Sequence, residues 1–124
     1  MGGTFVLRKE RLRPGEAENT ETFASTVVAT GDKGERLLYL NDVKLEPHTE
    51  SGRQRTFDNR DVLIVVGGAG AICTDAMCEA VQGGDRVTIE AGQRYTIMND
   101  GDIPMHVIQI GLSKPALRGR GAMA

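Results

Sequence analysis

The sequence of 124 residues is poor in the side chains that most metal and redox sites use. It has two histidines, two cysteines and no tryptophan. Cys73 and Cys78 form no CxxC pair and have no further cysteines for a zinc knuckle, so the sequence predicts two ordinary reduced thiols. The formal net charge of −2 and the pI near 5.7 give no indication of binding to nucleic acid or to an anionic membrane.

Long hydrophobic segments are also missing from the sequence. No apolar run approaches the roughly 18 residues that a membrane-spanning helix needs. The N-terminal residues MGGTFVLRKERL lack the apolar region of a secretory signal peptide, so we expect a cytoplasmic protein without a membrane segment. The length corresponds to a single domain.

What the sequence contains is typical of a turn-rich β-protein. Sixteen glycines accompany three phenylalanines and two tyrosines, and no convincing amphipathic helix pattern is present. Short alternating or β-branched segments recur between Gly, Asp, Asn and Pro, which predicts an all-β sandwich or barrel. The predicted strands are 4–7, 20–30, 37–45, 61–66, 71–74, 86–90, 94–98 and 105–110. We expect loops at 8–19 and 46–60, turns at 31–34 and 100–102, a loop or hairpin at 75–83, and a flexible tail at 113–124.

The segment that follows Asp61 is apolar throughout, which indicates a strand covered on both faces. Leu63 and Val65 would face the barrel interior. Another sheet or another subunit would have to cover the residues of the opposite face, Val62, Ile64 and Val66.

The stretch 84–99 contains two alternating strand patterns joined by a glycine turn. Tyr95 shares the predicted inward face with Val87 and Ile89. Burying a phenol without a partner costs roughly 1–3 kcal/mol, so Tyr95 needs a hydrogen-bond partner or a ligand.

The spacing within this stretch resembles the second conserved motif of the cupin superfamily. That motif reads Gly, five residues, Pro-any-Gly, two residues, His, three residues, Asn. The sequence keeps Gly84, Gly92 and Asn99 at this spacing. Glu90 replaces the proline, and Tyr95 replaces the metal-binding histidine.

The first cupin motif can be aligned as well. It reads Gly, five residues, His-any-His, three or four residues, Glu, six residues, Gly. His48 stands at the first glycine position, and Gln54 and Thr56 replace the two histidines. The spacing between the carboxylate and the last glycine survives from Asp61 to Gly68.

The resemblance covers residues 37–112 and implies the antiparallel double-stranded β-helix, or jelly-roll barrel, of cupins. We expect one domain with an N-terminal arm at 1–19, a β-barrel at 20–112 and the tail at 113–124. Cupins are commonly homodimers, and a second subunit would cover the outer face of strand 61–66. The fold hosts many chemistries and does not by itself define a function.

The side chains at the four aligned ligand positions, Gln54, Thr56, Asp61 and Tyr95, would make a poor divalent-metal site. We therefore expect a pocket without a metal or another cofactor that binds a small organic molecule. The predicted catalytic residues are Asp61 and Tyr95, with His106 as a third candidate. The expected substrate-binding residues are Gln54, Thr56, Tyr39, Arg55 and Asn99.

These groups indicate acid/base chemistry next to a carbonyl, as in an isomerase, a cyclase or a lyase. Burial raises the pKa of a carboxyl group and brings it closer to neutral pH. A phenol can donate a hydrogen bond to a carbonyl oxygen that gains negative charge.

Three alternatives remain open. The protein is a cupin that binds a small molecule without catalysis, or a metal-dependent cupin whose site is rebuilt from His48, Asp61 and His106. In the third, Asp61 pairs with a neighbouring arginine and Tyr95 is a core residue bonded to a backbone carbonyl.

Overall fold

Alternating segments separated by glycine-containing turns form β-strands in the computed structural model, which describes residues 7–11 and 36–113. The strands within these ranges are β1 Leu7–Arg11, β2 Leu37–Leu45, β3 Thr49–Arg55, β4 Arg60–Gly67, β5 Ala69–Thr74, β6 Cys78–Gln82, β7 Asp85–Ile89, β8 Arg94–Asn99 and β9 Met105–Leu112. The described part of the chain contains no helix, so none of it offers a long apolar helix that could cross a membrane. The all-β prediction is confirmed.

Two antiparallel sheets contain these strands. The five-stranded sheet has the order β1-β7-β4-β9-β2, and the four-stranded sheet has the order β3-β8-β5-β6. Strand β4 lies between β7 and β9 and is apolar on both faces, as expected for a central strand covered on both sides.

One apolar core fills the space between the sheets. Leu63 and Val65 of β4 are fully buried in it, and Tyr95 packs there with Val87 and Ile89. The predicted inward face of the 84–99 stretch is therefore correct. The turn between its two strands uses Gly92 at a φ of 81°, a left-handed conformation that favours glycine.

A second apolar cluster lies on the other face of the five-stranded sheet. It contains Val62, Ile64, Ile108, Ile110 and Leu112. Val62 and Ile64 are only 0% and 1% exposed in the single chain, so their burial does not require a second subunit. The homodimer stays a prediction, and the argument from an uncovered face no longer supports it.

Strand β3 corrects the prediction of an irregular polar loop at 46–60. It is the end strand of the four-stranded sheet, and its inward positions, Ser51 and Gln54, are polar. The register shifts between Glu50 and Arg53, around Gly52 at a φ of 79°. A strand with polar residues on both faces and a bulge has no alternating hydrophobic pattern, so the sequence gives no strand signal there.

Strand β1 corrects the predicted loop at 8–19 over its first residues, because Leu7–Arg11 pairs with β7. Only Leu7 of this strand is buried, which explains the weak signal. Of the loop or hairpin predicted at 75–83, the structure has the hairpin, since β6 pairs with β5 there. The predicted strand 20–30, the turn 31–34 and the tail beyond residue 113 lie outside the described residues.

The two cysteines correct another prediction. Cys73 and Cys78 are cross-strand partners in β5 and β6, and they form a disulfide rather than two reduced thiols. Their separation of five residues is that of a short hairpin, which brings the two side chains together.

Candidate active site

Three strands bring a carboxylate and two phenols together inside the barrel. Asp61 lies in β4 and is 1% exposed. The Tyr95 hydroxyl of β8 donates to its Oδ2 at 2.5 Å, and the Tyr39 hydroxyl of β2 donates to its Oδ1. Asn59 Nδ2 donates to the same Oδ1 at 3.0 Å. A buried carboxylate with three hydrogen bonds is thus the centre of the site.

A glycine lets Tyr39 reach this carboxylate. In the sheet, Gly111 of β9 is the cross-strand neighbour of both Tyr39 and Asp61. The Tyr39 ring lies directly against Gly111, and a Cβ atom at that position would clash with three of the ring carbons. The ring crosses β9 over the glycine, so its hydroxyl group arrives at Asp61 one strand further on.

Amide side chains extend the hydrogen bonds from Tyr95 towards the edge of the barrel. Gln109 Nε2 donates to the Tyr95 hydroxyl oxygen at 2.6 Å and contacts Gln54 Oε1 at 3.4 Å. Asn41 Nδ2 donates to Gln109 Oε1 at 2.9 Å. We call these side chains together with the carboxylate group the Asp61 network: Tyr39, Asn41, Gln54, Asn59, Asp61, Tyr95 and Gln109.

The network reaches solvent between β2 and β3. These strands end the two sheets on the same side of the barrel, as the contact between Gln109 and Gln54 shows. Asn41 is exposed there, and Tyr39 and Gln54 are half-buried, whereas Asp61 and Tyr95 are each 1% exposed. We call this place, bordered by Tyr39, Asn41 and Gln54, the opening.

Burial and the tyrosines set the protonation of the site. Burial raises the pKa of Asp61, and the hydrogen bonds from Tyr39, Tyr95 and Asn59 oppose that rise. Burial is also the main reason that the pKa of each tyrosine is raised, and the negative charge of Asp61 raises both further. The two phenols therefore stay protonated over the pH range in which Asp61 titrates.

Two predicted binding residues have structural roles instead. Thr56 is fully buried, and its hydroxyl group bonds to Glu90 O at 2.8 Å, Gln93 O at 3.1 Å and Gln93 N at 2.8 Å. Asn99 donates to the carbonyl oxygens of Leu45 and Ile103, and its Oδ1 accepts from Gly101 N. Both side chains bind backbone groups and are not available to a ligand.

The arginine and histidine candidates also lie away from Asp61. Arg55 is exposed, with its guanidinium 5.0 Å from the centre of the Phe57 ring. His106 shares its side of β9 with Ile108 and Ile110, which belong to the outer cluster, so it does not face the barrel interior. His106 contacts Asp42 near the surface.

The alternative of a rebuilt metal site is wrong. His48 pairs with Asp102 at 3.0 Å and His106 pairs with Asp42, so neither histidine meets Asp61. The residues at the aligned ligand positions do not fit a divalent metal either, because Thr56 bonds to backbone and both Asp61 oxygens accept hydrogen bonds. Among residues 7–11 and 36–113, no three His, Cys, Asp or Glu side chains are grouped to hold a metal.

The structure also adds residues that the sequence interpretation missed. Asn59, Gln109, Asn41 and Gly111 have no place in either cupin motif, so motif spacing could not select them. The one signal for Gln109 in the sequence was its polar side chain within a largely apolar predicted strand, and the structure adds that it faces inward with Met105 and Val107.

Solved structures place this architecture among the cupins. A predicted oxalate decarboxylase from Thermotoga maritima shares 14% identity at a TM-score of 0.60, over 87% of this chain and 81% of that one. A cupin protein from Bacteroides fragilis shares 18% at 0.59, over 75% and 77%. The CENP-C cupin domain of Drosophila melanogaster shares 22% at 0.54, over 58% and 59%. The chain therefore has the cupin fold, as the two motifs predicted.

These likenesses establish the fold alone, because all three identities are low. Comparison with protein-family models and with curated proteins finds no match for the sequence. The function has to be argued from the Asp61 network.

Proposed function

We propose that the protein is a metal-independent enzyme that transfers protons next to a carbonyl group of a small organic molecule, as an isomerase, a cyclase or a lyase. The observation that supports this most is the buried Asp61 carboxylate, which accepts hydrogen bonds from the hydroxyl groups of Tyr39 and Tyr95 beside the opening. His106 has no part in it, because it contacts Asp42 instead.

The chemistry follows from the protonation of these groups. A carboxyl group whose pKa is raised by burial gives up and accepts a proton closer to neutral pH than an exposed one. The phenols beside it stay protonated and donate hydrogen bonds to the carboxylate, so Asp61 is the group of the three whose protonation state changes. General acid/base catalysis by such groups contributes about 10²- to 10⁴-fold to a rate.

The test is exchange of α-protons for deuterium in D2O, followed by proton NMR. The probes are acetone, cyclohexanone and 2-pyrrolidinone, which are small neutral carbonyl compounds. The wild type should accelerate exchange of at least one probe, and Asp61→Asn should lower that rate by roughly 100-fold or more. The rate should fall as the pH drops through the raised pKa of Asp61, since only the ionised carboxylate accepts a proton.

The matched control is Asp42→Asn, which makes the same change at an exposed carboxylate that contacts His106. It should leave the rate unchanged, as should treatment with EDTA. Equal rates for the wild type and Asp61→Asn with every probe, or loss of the wild-type rate in EDTA, would contradict the proposal.

A second candidate is a cupin that binds a small molecule without catalysis. It is favoured by the completeness of the network, in which no fully buried polar side-chain atom lacks a hydrogen-bond partner. A structural role for the Asp61 network needs no turnover. Binding of a probe without any exchange above the Asp61→Asn rate would support this candidate.

The homodimer is part of the same proposal, whereas the cytoplasmic location expected from the sequence is not. The Cys73–Cys78 disulfide stands against a strongly reducing compartment, because such bonds are rare there. Light scattering on the purified protein tests the dimer.

A further inference from the structure

We propose that Tyr39 exchanges the proton with the ligand, that Tyr95 is a positioning residue, and that the ligand is an uncharged carbonyl compound that enters at the opening. This inference rests on the proposed function. It assigns different roles to two tyrosines that bind the same carboxylate.

The two hydroxyl groups differ in their freedom to bind a ligand. Tyr95 is 1% exposed, and its oxygen donates to Asp61 at 2.5 Å and accepts from Gln109 at 2.6 Å. Gln109 is itself fixed by Asn41. The Tyr95 hydroxyl group is therefore enclosed by protein partners on both sides.

Tyr39 is half-buried at the opening, and its oxygen accepts one long hydrogen bond of 3.2 Å from Asn59 Nδ2. The same nitrogen also contacts Asp61 at 3.0 Å and Arg60 O at 3.3 Å. A donor shared among three acceptors gives up one of them easily. An acidic C–H group of a ligand can thus approach the Tyr39 oxygen in place of Asn59 Nδ2, and the bond from Tyr39 to Asp61 stays intact.

The hydrogen bonds that link Asn41, Gln109 and the two tyrosines run towards Asp61. Asn41 donates to Gln109, Gln109 donates to Tyr95, and both tyrosines donate to the carboxylate. The titratable groups that face Asp61 within the described residues are these two tyrosines, one from β2 and one from β8. The carboxylate is the acceptor at which each of these bonds ends.

The proton step follows from this arrangement. A Cα–H bond of the ligand breaks and its proton forms a new O–H bond on the Tyr39 oxygen, while the original Tyr39 proton moves to Asp61 Oδ1. The electron pair stays on the ligand as an enolate. Tyr39 is neutral before and after, Asp61 becomes neutral, and the negative charge has moved to the ligand. The reverse transfer returns the proton to the same or another ligand atom.

The charge around the opening defines the ligand class. The side chains that border it are amides and a phenol, which bind neutral carbonyl and hydroxyl groups. Arg55 lies outside against Phe57, and Arg53 lines a depression of about 190 Å³ with Arg94 and Thr96 on the outer face of the four-stranded sheet. None of the described side chains that border the opening is cationic, so an anionic ligand would meet the Asp61 charge there.

Gly111 provides a test that keeps both tyrosines. Gly111→Ala forces the Tyr39 ring off β9 and moves its hydroxyl group away from Asp61. Gly67→Ala is the matched control, because an added Cβ at Gly67 meets nothing within 4 Å. Gly111 and Tyr39 act through one contact, so Tyr39→Phe/Gly111→Ala should exchange no more slowly than Tyr39→Phe alone.

The experiment measures α-proton exchange of the three neutral probes over pH 5–9 for each variant. Tyr39→Phe and Gly111→Ala should each lower the rate by roughly 100-fold, and Gly67→Ala should leave it unchanged. Tyr95→Phe should lower it by less than about tenfold and move the pH midpoint upward, because the lost hydrogen bond stabilises the ionised carboxylate. A loss in Tyr95→Phe as large as in Tyr39→Phe, or additive losses in the double variant, would overturn the assignment.

A second readout requires no turnover and no Gly111 variant. In protein labelled with ¹³C at tyrosine Cζ, cyclohexanone should shift the Tyr39 signal more than the Tyr95 signal, and propionate should shift neither. A larger shift of Tyr95, or a response to propionate alone, would contradict the inference. If the wild type shows no exchange but cyclohexanone shifts the Tyr39 signal selectively, the proposed catalysis is contradicted. The assignment of the ligand to Tyr39 would still be supported.

Discussion

At the scale of single residues, the hydrogen bonds of Asp61 distinguish the candidate site from the metal site of a cupin. Its carboxylate occupies the aligned position of a metal ligand, yet its two oxygens accept hydrogen bonds from Tyr39, Tyr95 and Asn59. Tyr95 stands at the position of a ligand histidine and is one of those donors. A hydrogen-bonded carboxylate and a phenol therefore stand where the cupin motifs would place metal ligands.

Thr56 shows that an aligned position can become structural. Thr56→Val removes a hydroxyl group that bonds to Glu90 and Gln93 and leaves buried backbone groups with fewer partners. We expect the free energy of unfolding, measured with urea, to fall by roughly 1–3 kcal/mol. Thr96→Val on the half-buried outer face is the control and should change it by less than about 0.5 kcal/mol. Equal effects of the two changes would refute the structural role.

Tyr95 should make the protein sensitive to alkali. Its pKa is raised in the folded chain, so the stability that it contributes is complete below the ordinary tyrosine value of about 10 and is lost as the pH rises above it. Between pH 9 and pH 11 the wild type should lose roughly 1.4 kcal/mol more than Tyr95→Phe in urea unfolding. Equal losses in the two proteins would show that the phenol ionises freely in the folded state.

At the scale of strands, hydrophobic periodicity predicted those elements that bury an apolar face. Strands β2, β4, β7, β8 and β9 lie where the alternating or apolar patterns predicted them, with ends displaced by one or two residues. Strand β3 was missed because its inward residues are polar and its register is interrupted at Gly52. Such a segment forms a strand because it pairs with its neighbour β8. The local sequence pattern carries no information about that partner.

The hairpin of β5 and β6 should depend on its disulfide. The bond between Cys73 and Cys78 closes a loop of about six residues, and loop-closure entropy gives such a crosslink roughly 2 kcal/mol. Cys73→Ser/Cys78→Ser should lower the free energy of unfolding by about that amount in oxidising buffer. The same variant should match the wild type in dithiothreitol. Two free thiols in the mass spectrum of the alkylated, unreduced wild type would contradict the disulfide.

At the scale of the whole molecule, motif spacing predicted the cupin fold and the meeting of Gln54, Asp61 and Tyr95. Long-range pairing decided the rest of the site. Gly111 and Gln109 belong to the site because β9 lies between β2 and β4. His106 does not belong to it, because successive residues of β9 face opposite sides of the sheet. Strand order and parity relative to a partner strand are tertiary facts, so a single sequence without them could not separate these residues.

We expect one buried carboxylate, Asp61, to hold the exchangeable proton of the site and to be coupled to both tyrosines. A pH titration followed by ¹³C NMR, with labels at aspartate Cγ and tyrosine Cζ, tests it in the ligand-free protein. We predict that the Asp61 signal titrates above the ordinary pKa of an aspartate and that the signals of Tyr39 and Tyr95 shift with the same midpoint. The opposite result is an Asp61 signal with an ordinary or lowered midpoint and tyrosine signals that do not shift when Asp61 titrates. That result would contradict the coupling of Asp61 to the two tyrosines.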